Sequence, residues 1–223
     1  MIAATAGGTP QTSQGQSSEA VTEVLKQRIE GAVTLDISVN GQTTQYSRDE
    51  AGSYGVLLNT PDPQAPHPVL EFRLLNKKMY ARGVSEKLKQ GEWLDMTALL
   101  EAWPTLPDVM PPSVGEYNYM AWLTQDVAGH FEGLSDVVYG FAGVTPAECF
   151  SKGGVSKGAT NKEWRVDCKI GTPPFDVMVD ENSRVMSATN KDVKVLVSYT
   201  AEPVVPPAKS EVLTTGAAKK KLG

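Results

Sequence analysis

Cysteine and histidine are scarce in this chain of 223 residues, which contains two of each. A structural zinc site usually takes four ligands, mostly cysteine and histidine at recognisable spacings, and no such spacing is present. The sequence also lacks a Gly-x-Ser-x-Gly elbow, a phosphate-binding loop, a dinucleotide fingerprint and a zinc-protease helix. It therefore predicts no metal site, no cofactor and no enzyme activity.

Long apolar runs are missing as well. No stretch approaches the roughly 18 apolar residues that a membrane-spanning helix needs, and the N-terminus has no apolar signal-peptide core. Residues 1–18 are almost all small or polar, so they cannot bury enough apolar surface to offset the entropy of ordering. We expect a disordered tether at 1–18, a single domain at 19–213 and a flexible tail at 214–223.

Positive charge is in the minority. The chain has 21 Lys and Arg against 26 Asp and Glu, a net charge of −5, which argues against binding to nucleic acid because phosphate backbones require clustered cations. Three of the lysines form the run Lys219-Lys220-Lys221. A flexible end is the favoured interpretation of this run, and a membrane-binding patch is the alternative.

Few residues qualify as catalytic groups. Asp126 and His130 lie one helical turn apart and could orient an imidazole for base catalysis, but an ordinary i, i+4 pair is the favoured interpretation. His67 lies between two prolines and is expected to be solvated. The paired carboxylates Asp49-Glu50 and Asp180-Glu181 fall in predicted turns, where acidic residues are common for backbone reasons.

Alternating apolar and polar residues predict an antiparallel sheet built from hairpins. The strongest alternation is in residues 175–199, which read as three strands with polar turns between them. Residues 32–39 and 42–48 flank Asn40-Gly41, the strongest two-residue hairpin signal. The second of these strands is polar, which indicates a sheet edge or a face open to water.

Three helices are predicted from apolar residues at spacings of three and four. They cover about 18–29, 96–103 and 118–133. The last presents a stripe of large apolar side chains that includes Trp122, Leu123, Val127 and Phe131. A helix with such a stripe either packs tightly or lines a pocket.

Several predicted strands carry consecutive apolar residues, as in Val195-Leu196-Val197, so both faces of the sheet are apolar there. A ligand cavity between sheet and helices would account for this surplus, and a fully packed core is the alternative.

Cys149 and Cys168 each lie in a short strand-like run, with glycine-containing segments between them. This arrangement fits a disulfide across a hairpin or between adjacent strands, which would stabilise the fold by roughly 3 kcal/mol in the chain-entropy model. Two unrelated buried thiols are the alternative.

Three segments resemble the LppX/LprAFG family of actinobacterial cell-envelope lipoproteins. Residues 193–207 form a long amphipathic strand that runs into Glu202-Pro203-Val204 and a Pro-Pro exit. Residues 70–82, followed by Gly91-Glu92-Trp93, resemble the family's strand, turn, Lys-x-Tyr strand and Gly-x-Trp strand, and residues 180–185 resemble its Asp, turn, Arg hairpin. The resemblance implies a strongly curved antiparallel half-barrel of about 9–11 strands with helices on its concave face, an α+β fold. In shape this extends to the LolA and LolB lipoprotein carriers.

The same resemblance implies an extracytoplasmic lipoprotein on the outer side of the cell membrane, joined to it by a lipid anchor that this sequence does not contain. Its ligand would be a lipid or glycolipid held by its acyl chains, and its further partner an envelope transporter or enzyme. That oxidising compartment favours the Cys149–Cys168 disulfide. The runner-up function is an envelope adaptor with a packed core and no lipid. The residues expected to line the cavity are Leu35, Ile37, Leu70, Phe72, Leu74, Leu99, Leu100, Trp122, Leu123, Val127, Phe131, Val177, Val195 and Val197.

Overall fold

The computed structural model describes residues 30–59, 67–104, 155–157, 163–166, 175–182 and 184–223, with only the backbone described for 155–157, 163–166 and 175. The tether predicted at 1–18, the helices predicted at 18–29 and 118–133, and both cysteines lie outside these residues.

The described chain forms strands and two short helices. The strands are β1 (Val33–Val39), β2 (Gln42–Arg48), β3 (Tyr54–Asn59), β4 (Val69–Leu75), β5 (Lys78–Arg82), β6 (Trp93–Asp95), β7 (Val155–Lys157), β8 (Glu163–Val166), β9 (Phe175–Val179), β10 (Val185–Thr189), β11 (Val193–Ser198) and β12 (Val212–Leu213). The helices are α1 (Met96–Ala102) and α2 (Thr215–Leu222).

All these strands belong to one sheet, in the order β12-β6-β5-β4-β3-β2-β1-β11-β10-β9-β8-β7. Two meanders, β1 to β6 and β7 to β11, meet where β1 pairs with β11, so that Leu35 lies opposite Val197. Neighbouring strands are antiparallel except β12 and β6, which are parallel. The prediction of a large antiparallel sheet in an α+β fold is confirmed, and among the described strands β12 and β7 are the two ends of the sheet and do not pair with each other.

Local turn chemistry fixes the first meander. Asn40 and Gly41 adopt positive φ angles of 50° and 84°, as a two-residue turn between right-twisted strands requires. Asn76 and Lys77 do the same between β4 and β5, with φ of 50° and 60°. The polar strand β2 lies between β1 and β3 rather than at an edge, and its outward side chains Thr43 and Gln45 are exposed.

Helix α1 begins where the sequence indicates. Asp95 caps it by accepting a hydrogen bond from the backbone N–H of Ala98 at 3.0 Å, which satisfies one of the donors that a helix start leaves without a partner. Met96 and Leu99 are buried. The helix packs against β5 and β6.

The segment 214–223, expected to be a flexible tail, is instead an ordered helix. Thr214 caps α2 through a hydrogen bond from Ala217 N, and Ala218 and Leu222 are 0 % and 4 % exposed. Both belong to the same apolar core as Leu94 and Leu99. The expectation failed because a helix of eight residues with few apolar side chains is marginal by itself and gains its stability from tertiary packing.

Residues 199–211, which we call the strap, connect β11 in the middle of the sheet with β12 at its edge. We define the inner face of the sheet as the one that carries Leu35, Phe72 and Val195, and the outer face as the other. The strap lies on the outer face, because Val204 is next to Gly55 and Val205 O accepts a hydrogen bond from Arg73 at 2.9 Å. Three of its residues, Pro203, Pro206 and Pro207, have no N–H to satisfy.

Candidate functional site

The inner face carries buried apolar side chains on both meanders. Strand register places Val177, Ala188, Val195 and Ile37 side by side on four neighbouring strands. All four are at most 2 % exposed. This apolar row therefore extends from β9 to β1. On β2 the inner positions are Gln42, Thr44, Tyr46 and Arg48, of which Tyr46 packs against the apolar core of β3 to β6.

The strand residues predicted to line a cavity all lie on this one face. Cross-strand register joins Ile37 to Leu70 by way of Thr44 and Leu58, and Leu35 to Phe72 by way of Tyr46 and Val56. Register matters here, since a slip of one residue moves a strand's whole apolar set to the other face. The residues placed on this face are Leu35, Ile37, Leu70, Phe72, Leu74, Val177, Val195 and Val197.

Helix α1 contributes its predicted residues to the same core. Leu99 is buried, and Leu100 and Trp103 are partly buried against the cluster that contains Leu70 and Phe72. The helical residues Trp122, Leu123, Val127 and Phe131 lie outside the described residues.

The sequence analysis missed further members of the inner face. Val56, Leu58, Met79, Ala81, Leu94 and Ala188 are all at most 5 % exposed. The alternation in β3 and β5 could have identified most of them. Ala188 gives little signal because alanine is common on both faces of a sheet.

The consecutive apolar residues have different explanations on the outer face. Leu75 is buried and Leu57 half-buried, whereas Leu196 is 39 % exposed. Leu196 lies on β11 opposite Ser187 of β10, and Ser187 lies opposite the exposed Met178 of β9.

A charged cluster on the outer face holds the β4–β6 region together. The Glu71 carboxylate pairs with both Arg73 and Arg82, and the two guanidinium groups lie 4.6 and 5.0 Å from the ring centroid of Trp93. Carboxylate and cation–π contacts compensate the positive charges. The cluster therefore links β4, β5 and β6 on the outer face.

A second cluster fixes the β9–β10 turn to the start of the strap. Burial alone would raise the pKa of Asp180, but hydrogen bonds from Arg184 and from Asn182 N outweigh it and lower that pKa. The Arg184 guanidinium lies 4.3 Å from the ring centroid of Tyr199, whose hydroxyl donates to Val185 O at 3.0 Å. Burial raises the pKa of Tyr199, with Arg184 opposing it, so the hydroxyl stays a neutral donor at physiological pH.

His67 is not simply solvated, as the sequence suggested. It is half-buried, and Nε2 lies 3.0 Å from Ser85 O and 2.9 Å from Leu88 O. Two carbonyl acceptors require that this nitrogen carries the proton. The ring therefore ties the start of β4 to the loop after β5, while Asp126 and His130 lie outside the described residues.

Among the described residues, no group of three or more His, Cys, Asp or Glu side chains could hold a metal ion. Within the same residues, no helix has both the length and the apolar character to cross a membrane.

A shallow depression between the β1–β2 and β10–β11 turns is lined mainly by polar residues, including Asn40, Asn190 and Asp192. Since Asn190 Oδ1 already accepts from the backbone of Asp192 and Val193, this depression is a feature of turn geometry.

No family model matches the chain, and no curated protein matches it. The inner apolar face is therefore the candidate site on structural grounds alone.

Proposed function

We propose that the protein binds the acyl chains of a lipid or glycolipid on the inner face of its sheet. The observation that carries this proposal is the breadth of that face: buried apolar side chains lie on eight of its strands, β1, β3 to β6 and β9 to β11, and Tyr46 of β2 packs against them. Acyl chains need a broad apolar surface with few polar groups, and ligand sites of this kind are concave and mostly apolar. In this proposal the sheet is strongly curved, α1 and α2 lie on its concave side, and a cavity remains between helices and sheet.

In this proposal, the protein carries or presents its lipid and catalyses no reaction. It works outside the cytoplasm, held to the outer side of the cell membrane by a lipid anchor, with an envelope transporter or enzyme as its partner. Support for this setting comes from the sequence resemblance described above.

The second candidate function is an envelope adaptor with a fully packed core. A specific observation favours it: Val33, Leu35, Ile37 and Val195 are at most 2 % exposed, as core residues are. Side chains that line an occupied or closed cavity are equally shielded from solvent. Burial alone therefore does not separate the two functions.

A pair of substitutions on β11 separates them. Val195 points to the inner face and its neighbour Leu196 to the outer face, with exposures of 0 % and 39 %. Val195→Trp should block acyl-chain uptake if a cavity is present, while the free energy of unfolding falls by less than about 1 kcal/mol. In a packed core the same change costs roughly 1–3 kcal/mol through overpacking. Uptake is measured with a fluorescent fatty acid, and stability by denaturant unfolding.

Leu196→Trp is the matched control, since it adds a ring of the same kind one residue away on the other face. It should leave both fatty-acid uptake and stability unchanged. The lipid proposal would be wrong if the wild-type protein took up no fatty acid and Val195→Trp caused a large loss of stability. Native mass spectrometry of protein from a lipid-containing host provides a further check, because bound acyl species should appear as added mass.

A further inference from the structure

A cluster of lysines gathers where α2 meets the loop after β5. We call Lys87, Lys89, Lys219, Lys220 and Lys221 the lysine cluster. Lys87 Nζ donates to Leu222 O at 2.8 Å, and Lys221 Nζ lies 2.6 Å from both oxygens of Glu92. The backbone N–H of Lys89 donates to Glu92 Oε2 at 2.8 Å, so Lys89 belongs to the same patch. The side-chain hydrogen bond from Lys221 lowers the pKa of Glu92, with further contributions from Lys89.

Among the described residues, Lys221 is the one member of the cluster that forms a salt bridge with a carboxylate. Lys219 donates to the carbonyl of Ala102 at 2.5 Å and Lys87 to that of Leu222, while Glu92 pairs with Lys221. Glu86 and Glu101 are the other carboxylates on these elements, and both are exposed. A local excess of positive charge thus stands on a chain whose net charge is −5.

An aromatic side chain lies beside the lysines. Trp103 follows α1 directly, is half-buried, and packs against the end of α2: a Cβ built on Gly223 would lie 3.5 Å from Trp103 Cη2. Tryptophan next to lysine is typical of surfaces that rest at the membrane–water interface, because the indole ring is apolar with one polar edge. The apolar core that contains Leu99 and Leu222 begins immediately beneath.

We propose that the lysine cluster and Trp103 form a docking surface for an anionic lipid bilayer. This inference rests on the proposed function, because it gives the inner face a membrane from which lipid is taken or to which it is delivered. A lysine near an anionic bilayer strengthens partitioning by about fivefold. The attraction acts over about a Debye length, roughly 8 Å at physiological ionic strength, so the exposed cations Lys89 and Lys220 contribute most directly.

The test is co-sedimentation of the protein with vesicles of phosphatidylcholine that contain about one part in three of phosphatidylserine. The wild-type protein should bind these vesicles in low salt, lose binding as salt is added, and bind pure phosphatidylcholine weakly. The double variant Lys89→Gln, Lys220→Gln should partition roughly 25-fold less. Neither side chain is buried, and circular dichroism verifies that the variant is folded.

The control is Lys77→Gln, Lys78→Gln, at the β4–β5 turn on the other end of β5. It removes the same charge from exposed positions and should change partitioning by less than about threefold. An equal loss in both double variants would overturn the proposal, because net charge rather than the patch would then control binding. Equal binding to soluble heparin and to the anionic vesicles would also overturn it, in favour of a polyanion site.

A fluorescence measurement tests the aromatic part. On anionic vesicles the emission of the wild-type protein should shift to shorter wavelength, and Trp103→Phe should remove most of that shift. An unchanged shift in Trp103→Phe would contradict the proposed contact.

Uptake of fatty acid from vesicle-free solution should be the same in the lysine variants as in the wild type. If the wild-type protein takes up fatty acid but does not bind vesicles, the docking proposal is wrong and the proposed function stands. If it takes up no fatty acid, the proposed function is wrong whether or not the protein binds vesicles.

Discussion

At the scale of single residues, glycine is required most strictly at position 83. Gly83 has a φ of +76°, and a Cβ built there would lie 2.1 Å from the backbone oxygen of Val69. Gly52 has nearly the same φ, +77°, with open space around it. The two positions therefore separate backbone strain from steric conflict.

We expect Gly83→Ala to lower the free energy of unfolding by well over 2 kcal/mol, because positive-φ strain costs about 1–2 kcal/mol and β4 must also move. Gly52→Ala should cost about 1–2 kcal/mol from strain alone. Denaturant unfolding of both variants measures the difference. Equal losses would show that the contact between residue 83 and β4 relaxes at no cost.

At the scale of elements, one carboxylate fastens the strap to the sheet. Asp49 is 7 % exposed, and its two oxygens accept from Ser53 N at 2.8 Å and Val204 N at 2.9 Å. Such a carboxylate offers acceptors on both sides, whereas an amide replaces one of them with a donor that would face a backbone N–H.

Asp49→Asn should therefore destabilise the protein by about 1–3 kcal/mol. It should also increase the hydrogen-exchange rate of the Val204 amide, measured by NMR or mass spectrometry. Glu50→Gln, at the exposed neighbouring position, should leave both quantities unchanged. Slow exchange at Val204 in the Asp49→Asn variant would mean that other strap contacts suffice.

The docking of α2 should depend on pH through Glu92. Its pKa lies below the usual glutamate value, first because of the hydrogen bond from Lys221. A carboxyl group whose pKa is lower in the folded state stabilises the fold at pH above its unfolded pKa. That stability is lost as the pH falls through the lowered pKa.

The size of this effect is about 1 kcal/mol or less, because the Lys221–Glu92 pair is at the surface. Glu92→Gln should flatten the acid side of the profile of melting temperature against pH, relative to the wild type. Glu86→Gln, which changes an exposed carboxylate of the same loop, should retain the wild-type slope. Parallel acid-side profiles for wild type and Glu92→Gln would contradict the role of this pair.

At the scale of the whole molecule, the two meanders join in the middle of the sheet, and the strap packs on its outer face. The β1–β11 pair joins residues as distant as Leu35 and Val197, so the two meanders share one apolar face only once both have formed. The strap then crosses the outer face to β12, where Trp93 N donates to Glu211 O at 2.9 Å. The strap therefore supports the outer face of the sheet.

Much of this fold could be predicted from local patterns. The strands β1 to β3 and β9 to β11, the Asn40-Gly41 turn and helix α1 follow from periodicity and turn chemistry, because those signals are contained in a few neighbouring residues. The register also places Leu35, Phe72 and Val195 on one face, as their apolar alternation indicated, and their role in a cavity stays a prediction. The charged stretch 219–221 and the isolated His67 were misread, since in both cases the partners lie far along the chain.

The sequence by itself determined the local structure: which segments form strands, where they turn, and which side chains are apolar in alternation. Only the tertiary structure decided that β1 pairs with β11, that the proline-rich residues 199–211 brace the outer face, and that Lys221 meets Glu92 in an ordered helix. The physical reason is that alternation and turn preference are short-range properties of the chain. Long-range pairing depends on the summed burial of surfaces that no single segment contains.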